Sequence, residues 1–168
     1  MTSVVQSLPS VHQSLFEAKA VKGLTFEQIA QRVERDEVWV ASLFYGQVRC
    51  FSSSPESSDA KPTEVEVKKL GKVLGLQEGP LLKHFHTHWF PERGDLTPMP
   101  PRDPTLYRLY EIILVYGYGI KSVIHEKFGD GIMSAINFSC NVKKVEKNGA
   151  DNVQITLTGK WLPYDFHE

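Results

Sequence analysis

Cysteine is scarce in this chain: there are two, Cys50 and Cys140, and neither sits in a Cys-x-x-Cys pair. That excludes a disulfide framework and a cysteine zinc site, and makes two free thiols in a reducing compartment the expectation. An excess of either charge is also absent, with 19 Lys and Arg against 20 Asp and Glu. A dedicated nucleic-acid binder carries a basic excess and an interaction tail carries a block of like charge, so neither is expected. No apolar run approaches the ~18 residues of a membrane helix. Met1 to Pro9 holds no charged segment followed by an apolar one. The expectation is therefore a cytoplasmic protein with no membrane partner. Common catalytic signatures are missing too. There is no Gly-x-Ser-x-Gly, and neither cysteine has a histidine close in sequence. Gly117-Tyr118-Gly119 lies within an apolar stretch and lacks the Lys-Ser/Thr that follows in a phosphate-binding loop.

What is present is a chain of 168 residues, 41% of them hydrophobic, enough for one ordinary domain or two small ones. Residues 10–49 read as helical. Val11, Leu15 and Ala18 recur at helical spacing. Thr25-Phe26-Glu27-Gln28 is a capping box, in which the Thr25 hydroxyl accepts the Gln28 amide proton and the Gln28 side chain reaches back. Phe26, Ile29, Ala30 and Val33 then form a buried face, and Asp36 is a second N-cap before a helix that Gly46 stops. Two short helices with a tight joint have the form of a helix-turn-helix. A DNA-binding regulator is the alternative function this raises. Its second helix, residues 37–45, holds no Arg, Lys, Asn or Gln to read a groove, so packing is the favoured role.

Residues 50–62 carry five serines and two prolines and read as a loop. Thr63 to Glu66 repeats the capping box, Val67, Leu70 and Val73 or Leu74 share a face, and Gly75 ends the helix. From Gln77 to Pro104 the prolines multiply, which predicts an extended connector. A long apolar helix follows from Pro104 to about residue 127, with Arg108, Glu111 and Lys121 its only charges between Leu106 and Ile124. A helix apolar nearly all round must be covered on most sides, and this chain has too few other elements to do so. An obligate homo-oligomer is expected. After the turn Gly129-Asp130-Gly131, two alternating runs flank Asn148-Gly149 and predict a β-hairpin. The fold class is α+β, with a helical bundle over 1–90 and a long helix plus hairpin over 91–168.

Two constellations bear on chemistry. His84, His86 and His88, if extended, share one face, and three histidines can hold a zinc ion with an open position. Adjacent ligands on one strand seldom converge on a single ion, so no metal is expected and their role is left open. Arg108 and Glu111, at i and i+3, share an otherwise apolar helix face. Their charges would be desolvated there, and a structural ion pair or an anion site both fit.

The motifs Tyr107-Arg108-Leu109-Tyr110-Glu111, Val115-Tyr116-Gly117 and His125 through Phe138 resemble the cyanase (cyanate hydratase) family. The ending Ile155 to Pro163 is similar to that family's C-terminus, and Leu24 to Ala30 to its helical domain. The resemblance implies bicarbonate-dependent breakdown of cyanate to carbon dioxide and carbamate, which falls apart to ammonia and carbon dioxide. It implies no metal or organic cofactor, bicarbonate being a co-substrate. It implies a decamer, a pentamer of intertwined dimers, with a helical half like the lambda-repressor-like domains of DNA-binding proteins but without nucleic acid as a partner. The family's active-site Arg, Glu and Ser match Arg108, Glu111 and Ser134, contributed by neighbouring subunits. Substrate would then meet Arg108, Ser134 and the backbone at Ala135. Glu111 would either orient Arg108 or carry a proton, and the first is favoured because a guanidinium favours the ionised carboxylate. The serine-rich loop looks like an insertion relative to shorter bacterial members, and the histidine cluster is no part of the family pattern.

Overall fold

Threonine hydroxyls start two of the helices. Thr25 and Thr63 each accept a hydrogen bond from the backbone N–H three residues on, and Gln28 and Glu66 each reach back to the cap N–H. Both expected capping boxes are therefore formed. The structure is a computed structural model that describes residues 3–48, 62–87, 96 and 98–164. Its helices are α1 (Ser3–Ser7), α2 (Ser10–Val21), α3 (Phe26–Val33), α4 (Glu37–Phe44), α5 (Glu64–Leu74), α6 (Glu78–Thr87) and α7 (Pro104–Phe128). One antiparallel hairpin follows, β1 (Gly131–Lys147) and β2 (Ala150–Pro163). This is the α+β order read from the sequence. Most of the serine-rich segment and the boundary expected at residue 90 lie outside the described residues.

Contacts group the chain into two units. The first takes residues up to 92 with Ile136–Thr158. Its core is Leu15, Ile29, Val33, Val40, Leu43, Phe44, Val67, Leu70, Leu74, Leu81 and Phe85, all buried. Phe44 is at the centre of a ring cluster, edge-on to Phe16 at 5.2 Å and to Phe26 at 5.1 Å. Asp36 occupies the N-cap of α4 as expected, although its side chain makes no cap hydrogen bond. Gly46 at φ 73° and Gly75 at φ 70° take the left-handed conformation that ends a helix.

Helix α6 corrects the extended connector expected after Gln77. Pro80 is its third residue, where the missing N–H has no intrahelical partner to lose. Leu81 and Phe85, one turn apart, are both buried in the core. The histidine reading changes with it. On a helix, residues two apart point to different faces. His84 is half-buried against His12, His86 is exposed, and His88 lies outside the described residues.

The second unit takes residues 93–135 with 159–168. Asp103 caps α7 by accepting from Thr105 N at 2.9 Å and Leu106 N at 3.0 Å, and Pro104 fills the first helical position. The helix has no buried residue in this chain: Ile113 and Leu114 are 61% exposed and Val115 65%. Asn148 at φ 55° and Gly149 at φ 72° turn the hairpin, as the Asn-Gly pair predicts. Among the described residues no helix is long and apolar enough to cross a membrane.

Candidate active site

Asp103 fixes the start of α7, and that sets where its second turn falls. Arg108 and Glu111 then face each other one turn apart. The Arg108 Nη1 donates to Glu111 Oε2 at 2.5 Å. The hydrogen bond and charge of Glu111 hold the Arg108 guanidinium further above its already high value, so it stays a permanent cation. The expected desolvation of this pair is not supplied within one chain. The Arg108 side chain is 74% exposed and that of Glu111 42%. The surrounding face is apolar, as read, with Leu109 and Ile112 beside the pair, but it too is open. A helix that buries nothing against its own chain leaves its charges in solvent.

Ser134 stands on a different element. It lies three residues into β1 and is 8% exposed, while Ala135 beside it is exposed. The chain reaches it through a tight corner. Gly129, at φ 82°, closes α7 by donating its N–H to the His125 carbonyl. The Tyr164 N–H donates to the Asp130 carbonyl at 3.2 Å, tying the end of β2 to the corner. The Trp161 ring packs on Phe128 at 5.3 Å and edge-on to His125 at 6.4 Å. His125 Nδ1 lies 3.8 Å from Asp130 Oδ1.

Arg108 is joined directly to Glu111. Twenty residues of helix, about 30 Å, separate Arg108 from Phe128. The six residues on to Ser134 recover at most about 22 Å. Within one chain the Arg108 and Ser134 backbones are thus at least about 8 Å apart.

Sequence reasoning missed the supports of Ser134. Gly159 of β2 is packed so closely that a Cβ there would lie 2.4 Å from the Ser134 carbonyl oxygen. A glycine interrupting an alternating strand signals such an approach, and Gly159 follows the Val153–Thr158 alternation directly. An open groove in the other unit is lined by Glu27, Glu34, Asp36 and Glu37 with Arg35. Four carboxylates against one guanidinium repel anions and make it unsuited to an anionic substrate. Among the described residues no group of three or more His, Cys, Asp or Glu could hold a metal ion.

The family model described as the cyanate lyase C-terminal domain matches residues 98–166, which span α7 and the hairpin. A cyanate hydratase of Laccaria bicolor is 50% identical over 163 residues, 97% of this chain and 91% of the relative. Another, of Coprinopsis cinerea, is 51% identical over 91% of this chain and 93% of its own length. Among solved structures, a cyanase from T. urticae superposes with a TM-score of 0.73 at 32% identity, covering 92% of this chain and 97% of that one. With half its residues identical over nearly its full length to these relatives, and with the long helix, Arg–Glu pair and hairpin described above, the chain belongs to the cyanate hydratase family.

Proposed function

We propose that this protein is a lyase that decomposes cyanate in a bicarbonate-dependent reaction, with Arg108, Glu111 and Ser134 at the reacting centre. The observation that carries the reading is the Arg108–Glu111 pair, a permanent cation oriented by a carboxylate on an apolar helix that its own chain leaves uncovered.

The chemistry needs such a cation. Cyanate and bicarbonate are both anions. Two unit charges 4 Å apart repel by about 1 kcal/mol in water and by about 4 kcal/mol in the effective dielectric near a protein surface. A planar guanidinium can hydrogen-bond carboxylate oxygens through two N–H groups at once, which a lysine cannot. The Glu111 carboxylate fixes the direction of that fork. Ser134 donates its hydroxyl and Ala135 its backbone N–H to a carboxylate oxygen of the co-substrate.

A bond forms between a bicarbonate oxygen and the cyanate carbon, and the bicarbonate proton passes to the cyanate nitrogen. The adduct is a dianion and takes up one further proton. The bond between its carboxylate carbon and the bridging oxygen then breaks, with the electron pair remaining on that oxygen. Carbon dioxide leaves and carbamate remains, which with another proton gives ammonia and a second carbon dioxide. Holding the two anions in contact supplies most of the rate. No metal or organic cofactor enters this reading.

The site is completed by other copies of the chain. The exposed Ile113, Leu114, Val115 and Tyr116 support a homo-oligomer, since burying them removes apolar surface from water and desolvates Arg108 with Glu111. A decamer built as a pentamer of dimers is the assembly proposed. Residues 91–168 carry catalysis and assembly, and residues 1–90 form a helical bundle. The cytoplasm is the proposed compartment.

The test is ammonia release from cyanate with and without added bicarbonate, on protein whose solution mass is measured in the same buffer. Turnover that requires bicarbonate is expected. Turnover indifferent to bicarbonate, or none in the intact oligomer, would reject the reading.

A further inference from the structure

We infer that Gly159 is a positioning residue for Ser134: the missing side chain at 159 lets β2 approach β1 closely enough to set where the Ser134 peptide lies. The inference rests on the proposed role of Ser134 as a substrate-binding residue.

A Cβ added at Gly159 would meet the Ser134 carbonyl oxygen at 2.4 Å, Met133 Cγ at 2.5 Å and Met133 Sδ at 3.3 Å. Gly159 is not among the glycines with positive φ, so what forbids a side chain is space and not backbone torsion. The two obstacles differ in kind. Met133 is 39% exposed and its flexible thioether can swing aside. The Ser134 carbonyl is backbone, in a residue 8% exposed, and can yield only if the peptide itself moves. A second glycine supports the same segment from the other end. A Cβ at Gly131 would lie 2.5 Å from the Leu162 carbonyl oxygen, 2.7 Å from the Trp161 ring and 2.9 Å from Pro163 Cα. The segment from Gly131 to Ser134 is thus seated against residues 159–163 by close backbone contact at both ends. A strand held this way gives the Ser134 hydroxyl and the next N–H one position. Reaction between two held anions is sensitive to that position, since a misplacement of about 1 Å costs on the order of a hundredfold.

The experiment is a kinetic cycle on the full chain, using Gly159→Ala, Met133→Ala, Ser134→Ala and their pairs. Bicarbonate-dependent ammonia release and solution mass are measured for each. Gly159→Ala is expected to assemble and to lose about tenfold or more in kcat/KM for bicarbonate. Adding Met133→Ala should not restore it, because the Ser134 carbonyl still blocks the new Cβ. In a Ser134→Ala background, Gly159→Ala should cost clearly less than it does alone, since the Ser134 hydroxyl is already gone and only the Ala135 N–H remains to be misplaced. Wild-type kcat/KM in assembled Gly159→Ala, rescue by Met133→Ala, or a full additive loss beside Ser134→Ala would each overturn the inference. Wild-type kinetics in Ser134→Ala would overturn the proposed site itself. A damaged Ser134→Ala with an intact Gly159→Ala would overturn only the role of Gly159. Should Gly159→Ala fail to assemble, Gly131→Ala presses on the same segment and takes its place in the cycle with Ser134→Ala. If neither assembles, the glycines serve the fold alone and the inference is wrong.

Discussion

Arg108 is the residue on which the proposed chemistry turns, and its requirements are specific. A lysine at 108 would keep the charge and lose the planar fork. Arg108→Lys is expected to keep the assembled mass while activity falls by about tenfold or more, a loss the size of one to two charge-assisted hydrogen bonds. Wild-type turnover in that variant would remove Arg108 from the mechanism. Glu111→Gln separates the two roles of the carboxylate. The amide oxygen still accepts from Arg108 Nη1, so a partial loss with an unchanged pH profile is expected of an orienting group. A loss as deep as that of Arg108→Lys, with a displaced profile, would make Glu111 a proton carrier. The pair itself was legible at i and i+3. Its exposure was not, because periodicity shows which residues share a face and not what covers that face.

Helix ends and helix faces carry the next set of consequences. Thr63→Ala removes the hydroxyl that accepts the Glu66 N–H and should lower stability by about 1 kcal/mol, read as a shift in the urea midpoint at constant slope. Helix α6 puts His84 against His12, with their Nε2 atoms 3.0 Å apart. His12 is 1% exposed, and Phe85 is edge-on to it at 5.8 Å. Burial, and then the neighbouring His84, push the His12 imidazole down to about 4, although the Leu43 and Phe44 backbone favours its protonated form. Burial also lowers His84. The folded protein therefore binds fewer protons than the unfolded chain, whose histidines titrate near the ordinary value of 6.5. Stability is fully present above that value and falls as pH drops from about 6.5 toward about 4. Between pH 7 and 5 the loss from His12 is about 2 kcal/mol. Urea melts followed by circular dichroism should show it, and His12→Gln should flatten that dependence; an unchanged slope in the variant would show that His12 is not the titrating group. The segment after Gln77 is helical despite its prolines because Pro80 falls in the first turn of α6. A proline in a first turn is compatible with a helix, and only the burial of Leu81 and Phe85 against the other helices reveals that one forms.

The exposed face of α7 is where the proposed assembly can be tested on the entire protein. Ile113→Glu places a charge at an apolar position 61% exposed in the single chain. In a monomer this is a mild surface change. In an assembly it buries an unpaired carboxylate, which costs several kcal/mol. The expected outcome is a smaller solution mass together with lost turnover, checked by light scattering. An unchanged mass would show that the Ile113 face is not an interface. The few charges on α7 and its exposure in the single chain support the proposed covering by other copies.

Local chemistry was readable from the chain alone wherever one segment suffices. Capping boxes at Thr25 and Thr63, the Asn148-Gly149 turn, the start of α7 at Pro104 and the Arg108–Glu111 pairing each depend on residues within a few positions of one another. The helical state of residues 78–87, the facing of His84 with His12, and the seat of Ser134 against Gly159 each depend on segments distant in sequence. Backbone hydrogen bonds and caps are local and leave a signature in spacing. Side-chain burial and close strand approach are made between distant segments, and only the folded chain brings those together.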